Sequence, residues 1–441
     1  MFPPQDALPL PPRPSLEQYK KRAKDLLKAA RSPDPAALRV WASDWIESLA
    51  QLSHLETSPQ VPVRFAQWTE QLEKFARQEL EPVWGRTHSS VPPSEARRDP
   101  KLTAAQFVIA RSHGFESWTR LARHLESVAR AGSPISTFEQ SADAIVTGDL
   151  ARLKKLLRAH PELTRARSTR QHQATLLHYI AANGVEGYRQ KSPPNAVPIA
   201  ELLLASGADV NATALLYGGD ADTLGLVATS VHPQQAGVQL ELLDLLLRHG
   251  ASLHPMVVNA CLANGRRQSA EFLAFRGAQL DLEAAAGVGR LDLVKTFFDS
   301  QGNLLPAATR IQMERGFLWA SEYGRDEVVE FLLQRGVEVA TQAQTGQTAL
   351  HWAVIGAQSE TIRLLLKHNA PLEAKNRYGG TPLGQALWLI TNGDPHTDYV
   401  PIVETLLKAG AIIEEGTAEW LGRQKEVAPK QKQRLLALLK K

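Results

Sequence analysis

The chain has 441 residues, with 50 Lys and Arg, 46 Asp and Glu, and a formal net charge of +4. This length predicts more than one domain, and the near balance of charge argues against a nucleic-acid partner. The single cysteine, Cys261, excludes an intramolecular disulfide and a multi-cysteine metal knuckle. No apolar run is long enough to cross a bilayer, and the N-terminus lacks a secretion-signal pattern. We therefore expect a cytoplasmic protein with no membrane contact.

The first 136 residues predict a helical N-terminal domain. Apolar residues recur at helical spacing in Ser15–Arg31, and Lys101–Arg130 predicts two helices that break at His113-Gly114. Between these parts, about residues 35–100 predict an inserted helical segment. Its tryptophans, among them Trp41 and Trp45, have the spacing of a helix that docks on its neighbours.

Residues 137–415 contain eight copies of a short amphipathic helix that ends in apolar residues and is usually closed by a small turn. The copies read RLKKLLRAH, IAELLLASGAD, LLDLLLRHGAS, SAEFLAFRGAQ, LVKTFFDSQGN, VVEFLLQRGVE, TIRLLLKHNAP and IVETLLKAGAI. Such a repeat predicts a stack of like units, because one unit alone cannot bury its apolar face.

Two further elements recur within these copies. The turn after the helix contains Gly or Asn, a residue that tolerates the positive φ common at helix ends. These turn residues are Gly207, Gly250, Gly277, Gly302, Gly336, Asn369 and Gly410. The second element precedes another helix, where Thr348 is suited to cap the helix and His351 to bridge neighbouring turns by hydrogen bonds. Thr175, His178 and Thr381 belong to variants of this motif, in which the histidine is structural rather than catalytic.

These patterns resemble the ankyrin repeat, and the unit Thr345–Lys375 nearly matches the family pattern on its own. The resemblance implies an all-α solenoid of about eight ankyrin repeats, several of them degenerate, after the N-terminal domain. Residues 416–441 then form a C-terminal capping helix, because a solenoid needs a polar-faced end unit. The segments PPRPSLEQYKKRAKDLLKAAR and LTAAQFVIARSHGFESWTRLARHLE resemble the helical leader found ahead of many bacterial ankyrin-repeat proteins.

The sequence has no complete catalytic motif. It lacks a Walker A loop, a G-x-S-x-G elbow and an H-E-x-x-H helix, so we expect a protein that is not an enzyme and has no cofactor. Asp394, His396 and Asp398 form a tight cluster that is conceivable as a metal site, although an exposed polar loop is the favoured interpretation.

The resemblance implies a non-enzymatic scaffold that binds a protein or peptide through its concave face, which ankyrin fingers and first helices form. The candidate binding residues are Tyr188, Arg189, Tyr217, Glu322, Tyr323, Ile355, Tyr378, Trp388 and Leu389. Exposed aromatic side chains are typical binding anchors. Two alternatives stay open. The finger loops and the insertions between helices, such as Asn183–Pro198, would form a small-molecule or catalytic site, or the N-terminal domain would be the effector and the repeats would only target it.

Overall fold

The structure is a computed structural model that describes residues 7–11, 14–52, 61–80, 101–394, 396–425 and 427–439. The protein is mostly helical, with 61% helix and little strand. The chain divides into two compact units, Met1–Ser252 and Leu253–Lys441, which we call the N-terminal unit and the C-terminal unit. Within the described part of the chain, no helix is both long and apolar enough to cross a membrane.

The N-terminal unit begins with five helices. They are α1 (Leu16–Ala30), α2 (Ala37–Leu52), α3 (Val61–Leu80), α4 (Leu102–Ser112) and α5 (Trp118–Ala129). The break between α4 and α5 falls at the predicted position, because Gly114 adopts φ 77° directly after the helix ends. The remainder of the predicted insertion, residues 53–60 and 81–100, lies outside the described residues.

The predicted insertion and its flanking helices share one hydrophobic core. Trp45 of α2 lies edge-on to Tyr19 of α1, with ring centroids 5.4 Å apart, and 5.9 Å from the ring of His113. Trp68 and Leu72 of α3 belong to the same buried cluster. The helices α2 and α3 therefore contribute to the same core as α1 and α4.

The rest of the N-terminal unit consists of short helices and one small hairpin. The α-helices are α6 (Pro134–Thr147), α7 (Leu150–Ala159), α8 (Ala196–Ala205), α9 (Thr223–Thr229), α10 (Val231–Gln235) and α11 (Gln239–Arg248). The 3₁₀ helices are Pro161–Thr164, Leu176–Ala181 and Gly187–Arg189. Strands β1 (Thr213–Ala214) and β2 (Ala221–Asp222) pair antiparallel, with Thr213 opposite Asp222.

The C-terminal unit consists of helices that pack in pairs. They are α12 (Val257–Ala263), α13 (Arg267–Phe275), α14 (Leu282–Val288), α15 (Leu291–Lys295), α16 (Arg310–Glu322), α17 (Asp326–Gln334), α18 (Ala349–Ile355), α19 (Ser359–Lys367), α20 (Pro382–Asn392), α21 (Val400–Lys408), α22 (Thr417–Arg423) and α23 (Pro429–Leu438). Helices α14, α16, α18 and α20, which open successive repeats, pack side by side. One buried cluster of Leu, Val, Ile, Ala and Phe residues runs from Leu282 to Leu439.

The turn residues predicted from the sequence have the expected backbone conformation. All seven have positive φ, between 61° at Asn369 and 99° at Gly410. The segment predicted as a single C-terminal capping helix contains two helices, α22 and α23. Leu421 and Leu435 of these helices join the core, and Arg434 forms a 2.7 Å ion pair with Glu404 of α21.

Candidate functional site

The threonine and histidine of the repeat motif are hydrogen-bonded within the chain. The backbone N–H of Thr348 donates to His351 Nδ1 at 3.2 Å, so Nε2 bears the proton and donates to Gly380 O at 3.1 Å. Burial lowers the pKa of His351 below its usual value. A neutral ring with both nitrogens bonded joins one repeat to the finger of the next.

The second copy of the motif has the same geometry in the N-terminal unit. His178 Nδ1 accepts from Thr175 N at 3.2 Å, and Nε2 lies 3.3 Å from Ala221 O. Burial lowers the pKa of His178 to about 4. In the third copy, Thr381 Oγ1 accepts from Gly384 N at 3.1 Å, which caps α20. None of these side chains is available for acid–base chemistry.

The N-terminal unit contains a group of charges that we call the ion cluster: Glu139, Asp143, Arg170, Glu186 and Arg189. All of them are buried except Asp143, which is exposed at its edge. Arg170 and Glu186 are both 0% exposed and form an ion pair through Arg170 Nε and Glu186 Oε1. Arg170 Nη2 lies 3.3 Å from Glu139 Oε2, and Arg189 Nη1 lies 2.9 Å from the same oxygen. Arg189 also donates to Asp143 Oδ1 at 2.7 Å. Each buried carboxylate thus faces two guanidinium groups.

These pairs keep the buried carboxyls ionised. Burial alone would raise the pKa of Glu139, but Arg189 and Arg170 outweigh it and lower that pKa to about 2. The pKa of Glu186 also falls well below its usual value, because Arg170, His172 and Arg189 outweigh burial. A buried charge is tolerated when a counter-charge compensates for its lost solvation, and the ion pairs of the cluster supply this compensation.

The ion cluster joins three stretches of the chain. Glu139 belongs to α6, Arg189 to the 3₁₀ helix Gly187–Arg189, and Arg170 Nη1 donates to the backbone oxygen of His113 at 3.1 Å, where α4 ends. Arg170 Nη2 also donates to the hydroxyl of Tyr188 at 3.1 Å. The cluster therefore connects the end of α4 with α6 and with the 3₁₀ helix Gly187–Arg189.

The location of Arg189 corrects a prediction. We expected Tyr188 and Arg189 to lie on an open binding surface, but Arg189 is 3% exposed and Tyr188 is half-buried. The reason is ionic pairing with α6, whose partners lie almost fifty residues away in the sequence. Two of the charged side chains in the insertion at Asn183–Pro198, Glu186 and Arg189, thus face the interior, whereas Lys191 is exposed.

The first helices of the C-terminal unit present a different kind of surface. Equivalent backbone hydrogen bonds at the ends of α16 and α18 allow the sequences of the two helices to be aligned. Arg325 N donates to Ala320 O, and Gln358 N donates to Ala353 O. In this alignment Trp319 matches Trp352 and Glu322 matches Ile355. Trp388 of α20 matches Ile355 in turn, because each lies seven residues after its capping threonine. We call Trp319, Glu322, Trp352, Ile355 and Trp388 the tryptophan face.

Two tryptophans meet on this face. The rings of Trp319 and Trp352 lie edge to face, with centroids 5.5 Å apart and planes at 60°. Trp319 Nε1 donates to Glu283 Oε1 at 2.9 Å, which fixes its ring, whereas Trp352 Nε1 is buried without a hydrogen-bond partner in the described structure. Both side chains are half-buried, so part of each ring faces solvent.

Glu322 lies three residues after Trp319 on the same face of α16 and is half-buried. Its Oε2 is buried and has no hydrogen-bond partner, and no cation pairs with it among the described residues. Burial raises the pKa of Glu322 to about 8. The close approach of α18 contributes to this burial, since a Cβ added at Gly356 would lie only 1.8 Å from the backbone oxygen of Glu322. Glu322 therefore has no cation that offsets the cost of its burial, whereas the buried carboxyl groups of the ion cluster are paired with arginines.

Two other predicted binding residues belong to the core. Tyr323 is 6% exposed and its hydroxyl donates to Leu262 O at 2.7 Å. Leu389 is 9% exposed and packs in the buried cluster of the unit. The expectation that both project into a groove is wrong, because each points from its helix toward a neighbouring element.

The remaining predicted aromatic residues are exposed. Trp388 is 51% exposed, Tyr378 is 81% exposed and Tyr217 is 64% exposed. The hydroxyl of Tyr217 donates to Asn183 Oδ1 at 2.6 Å, so this side chain is fixed against the loop beside it. Trp388 and Tyr378 belong to the C-terminal unit, whereas Tyr217 belongs to the N-terminal unit.

The weak metal candidate is not assembled. Asp394 Oδ1 accepts from His396 N, and Asp398 Oδ1 accepts from Val400 N, both at 3.0 Å. Over the described ranges, no three His, Cys, Asp or Glu residues are arranged to hold a metal ion. Cys261 is buried, and burial raises the pKa of its thiol to about 12, which makes it a poor nucleophile.

The comparisons with known proteins agree with the repeat pattern. Residues 317–416 match the family model described as ankyrin repeats, in 3 copies. This stretch consists of ankyrin repeats. Among solved structures, the chain is similar to the crystal structure of the ankyrin-repeat domain of Bcl-3, described as a unique member of the IkappaB protein family. The identity is 19%, the TM-score is 0.28, and the match covers 56% of this chain and 92% of that chain. Ankyrin repeats generally mediate protein–protein interaction.

The sequence analysis missed Trp319 and Trp352 as surface residues. Trp352 directly follows His351 of the repeat motif, and Trp319 occupies the matching position one repeat earlier. Alignment of the two repeats at Arg325 and Gln358 would have shown both tryptophans on one face. The same alignment places Tyr323 at the position of Gly356, where a helix ends.

Proposed function

We propose that this protein is a non-enzymatic scaffold whose ankyrin repeats bind a protein partner through the tryptophan face and the adjoining finger at Tyr378. The main support is the 51% exposure of Trp388, a large aromatic side chain on a helix that is otherwise well packed. Tryptophan and tyrosine are enriched among residues that dominate binding energy, because they bury much area at a small entropic cost.

The hydrogen bonding of the repeats supports this interpretation. The histidines of the motif have both ring nitrogens engaged, and the buried charges of the N-terminal unit are paired with one another. These groups hold the fold together. On the tryptophan face, Trp352 Nε1 and Glu322 Oε2 have no hydrogen-bond partner among the described residues, and Glu322, unlike the carboxylates of the ion cluster, forms no ion pair there.

Site-specific crosslinking tests this proposal. A photoreactive phenylalanine analogue placed at position 388 should crosslink a discrete partner, which mass spectrometry then identifies. The matched control is position 275, because Phe275 is 87% exposed at the end of α13 and lies outside the residues that match the ankyrin model. Equal crosslinking of the same proteins from both positions would indicate nonspecific contact.

The identified partner then allows a quantitative test. Trp388→Ala should weaken its binding by about 30-fold, which corresponds to about 2 kcal/mol, and Phe275→Ala should leave the affinity unchanged. Both variants should keep the far-UV circular dichroism of the parent chain. Unchanged binding by the Trp388 variant would exclude this helix as an anchor.

A further inference from the structure

The rings of Trp319 and Trp352 meet where α16 packs against α18. Glu322 follows Trp319 by three residues and so lies on the same face of α16, and we call these three residues the tryptophan corner. Aromatic faces attract cations through their quadrupole, and the attraction is strongest for tryptophan. A carboxyl group on the same helix face adds a full negative charge when it is ionised.

We infer that the tryptophan corner binds an alkylammonium group, a lysine side chain of the protein partner, with Glu322 as its counter-charge. This inference rests on the proposed function and specifies the chemistry of the partner at that site. The lysine stem packs on the half-buried indole rings, and the ammonium group reaches Glu322 Oε2, which has no hydrogen-bond partner in the described structure.

No described group of the chain forms an ion pair with Glu322, so a partner can supply the cation. Neither an ion pair nor a hydrogen bond to its Oε2 is formed within the described ranges, and Trp352 Nε1 likewise has no hydrogen-bond partner there. Three other polar groups of these packed elements are hydrogen-bonded. Glu283 accepts from Trp319 Nε1, His351 is bonded at both nitrogens, and Tyr399 donates to Ile355 O at 3.4 Å. Arg325, which follows α16 and its cap, forms an ion pair with Glu271.

The protonation of Glu322 makes binding at this site depend on pH. Its pKa of about 8 means that the free protein holds a proton there at neutral pH. Binding of an ammonium group favours the carboxylate, so the proton passes to solvent.

The elements packed around Glu322 contain other ionisable groups. They are Arg310, Glu314, Arg315 and Tyr323 at α16, Asp281 and Glu283 at α14, Asp326, Glu327 and Glu330 on α17, His351 on α18 and Tyr399 before α21; α20 has none.

A pair of peptides tests the inference directly. One is acetylated and amidated Gly-Gly-Lys-Gly-Gly, and the other has norleucine in place of lysine, which keeps the stem and removes the charge. Binding to the full chain is followed by the indole N–H signals of Trp319 and Trp352, assigned with Trp319→Phe and Trp352→Phe. At pH 8.5 the lysine peptide should bind at least tenfold more tightly than the norleucine peptide.

The pH series supplies a second readout on the unaltered protein. Affinity for the lysine peptide should rise by up to about tenfold per pH unit between pH 6 and pH 8, because binding releases one proton and lysine stays charged, with a pKa of about 10.4. Calorimetry in two buffers of different ionisation enthalpy should show the released proton. Glu322→Gln should abolish the pH dependence, and Glu330→Gln, which changes an exposed carboxylate on α17, should retain it.

The outcomes separate this inference from the proposed function. Equal binding of the two peptides, or binding independent of pH in the unaltered protein, would overturn the lysine site even if Trp388→Ala still weakens the partner. Conversely, a lysine preference that disappears in Glu322→Gln, together with normal partner binding by Trp388→Ala, would support the lysine site and overturn Trp388 as the anchor.

Discussion

The ion cluster of the N-terminal unit and Glu322 of the C-terminal unit present buried carboxyl groups in opposite electrostatic states. Glu139 and Glu186 each face two arginines, and their pKa values are lowered despite burial. Glu322 has no such cation, and burial alone raises its pKa to about 8. Similar side chains therefore remain charged in one unit and become neutral in the other.

This difference separates carboxyl groups that stabilise the fold from a carboxyl group that can bind a cationic partner. The charges of the ion cluster are paired with one another, so an incoming ligand would have to break existing pairs. At Glu322 a cationic partner would instead supply an interaction that the chain lacks. Burial and a shifted pKa are common to both sites, and only the presence of a counter-charge separates them.

The largest expected effect is the loss of a guanidinium from the ion cluster. Arg170→Met should destabilise the N-terminal unit by about 3–5 kcal/mol, because Glu139 and Glu186 would lose a buried counter-charge. Urea unfolding, followed by hydrogen exchange in peptides from α4 to α6, measures this change. Arg290→Met is the matched control, since Arg290 and Asp292 form an exposed ion pair, and it should leave the free energy of unfolding almost unchanged. A similar cost for both variants would show that the buried pairs are not the source of stability.

The pH dependence of stability should have opposite signs at the two sites. The folded pKa of Glu139, about 2, lies below its ordinary value of 4.5, so its contribution is present above pH 4.5 and is lost as the pH falls through 2. The folded pKa of Glu322 is raised to about 8, so its contribution is complete below pH 4.5 and is lost as the pH rises through 8. Each changes by up to about 1.4 kcal/mol per pH unit within its window.

The free energy of unfolding of the parent chain, minus that of Glu322→Gln, measures the second effect. This difference should fall between pH 5 and pH 8. The corresponding difference for Glu139→Gln should fall between pH 4.5 and pH 2. If the Glu322 difference is constant over its window, then this carboxyl group is already compensated in the folded protein, and the contrast between the two sites fails.

A smaller effect is expected for a satisfied polar group in the C-terminal unit. His351→Ala should cost about 1–3 kcal/mol, through the loss of the hydrogen bonds to Thr348 and Gly380. Thermal unfolding measures the cost, and His396→Ala, at an exposed position, should stay within about 0.5 kcal/mol of the parent. A loss of partner binding without a loss of stability would assign His351 to the interface instead.

Much of the local structure follows from the sequence. Apolar residues at spacings of three and four predict the helices, and Gly or Asn at seven turns predicts the positive φ values. The break at His113-Gly114 is predictable for the same reason. These features depend on residues close together in the chain, where periodicity and backbone sterics are decisive.

The candidate sites were less predictable, because they depend on contacts between distant segments. Nothing within Asn183–Pro198 shows that Arg189 pairs with Glu139 and Asp143 on α6. Likewise, the wrong prediction for Tyr323 arose from its place at a helix end, where the side chain reaches Leu262. In contrast, the contact between Trp319 and Trp352 was within reach of a repeat alignment.

The ion cluster also determines when the N-terminal unit can complete its ion pairs during synthesis. Helix α5 ends at Ala129, but the guanidinium groups that pair with Glu139 belong to Arg170 and Arg189. At 5–20 residues per second, a ribosome needs roughly 3–12 s to pass from Ala129 to Arg189. Until Arg189 has been synthesised, the carboxylate of Glu139 on α6 lacks one of its two guanidinium partners. A chain released before that point therefore lacks a charge that completes its N-terminal unit.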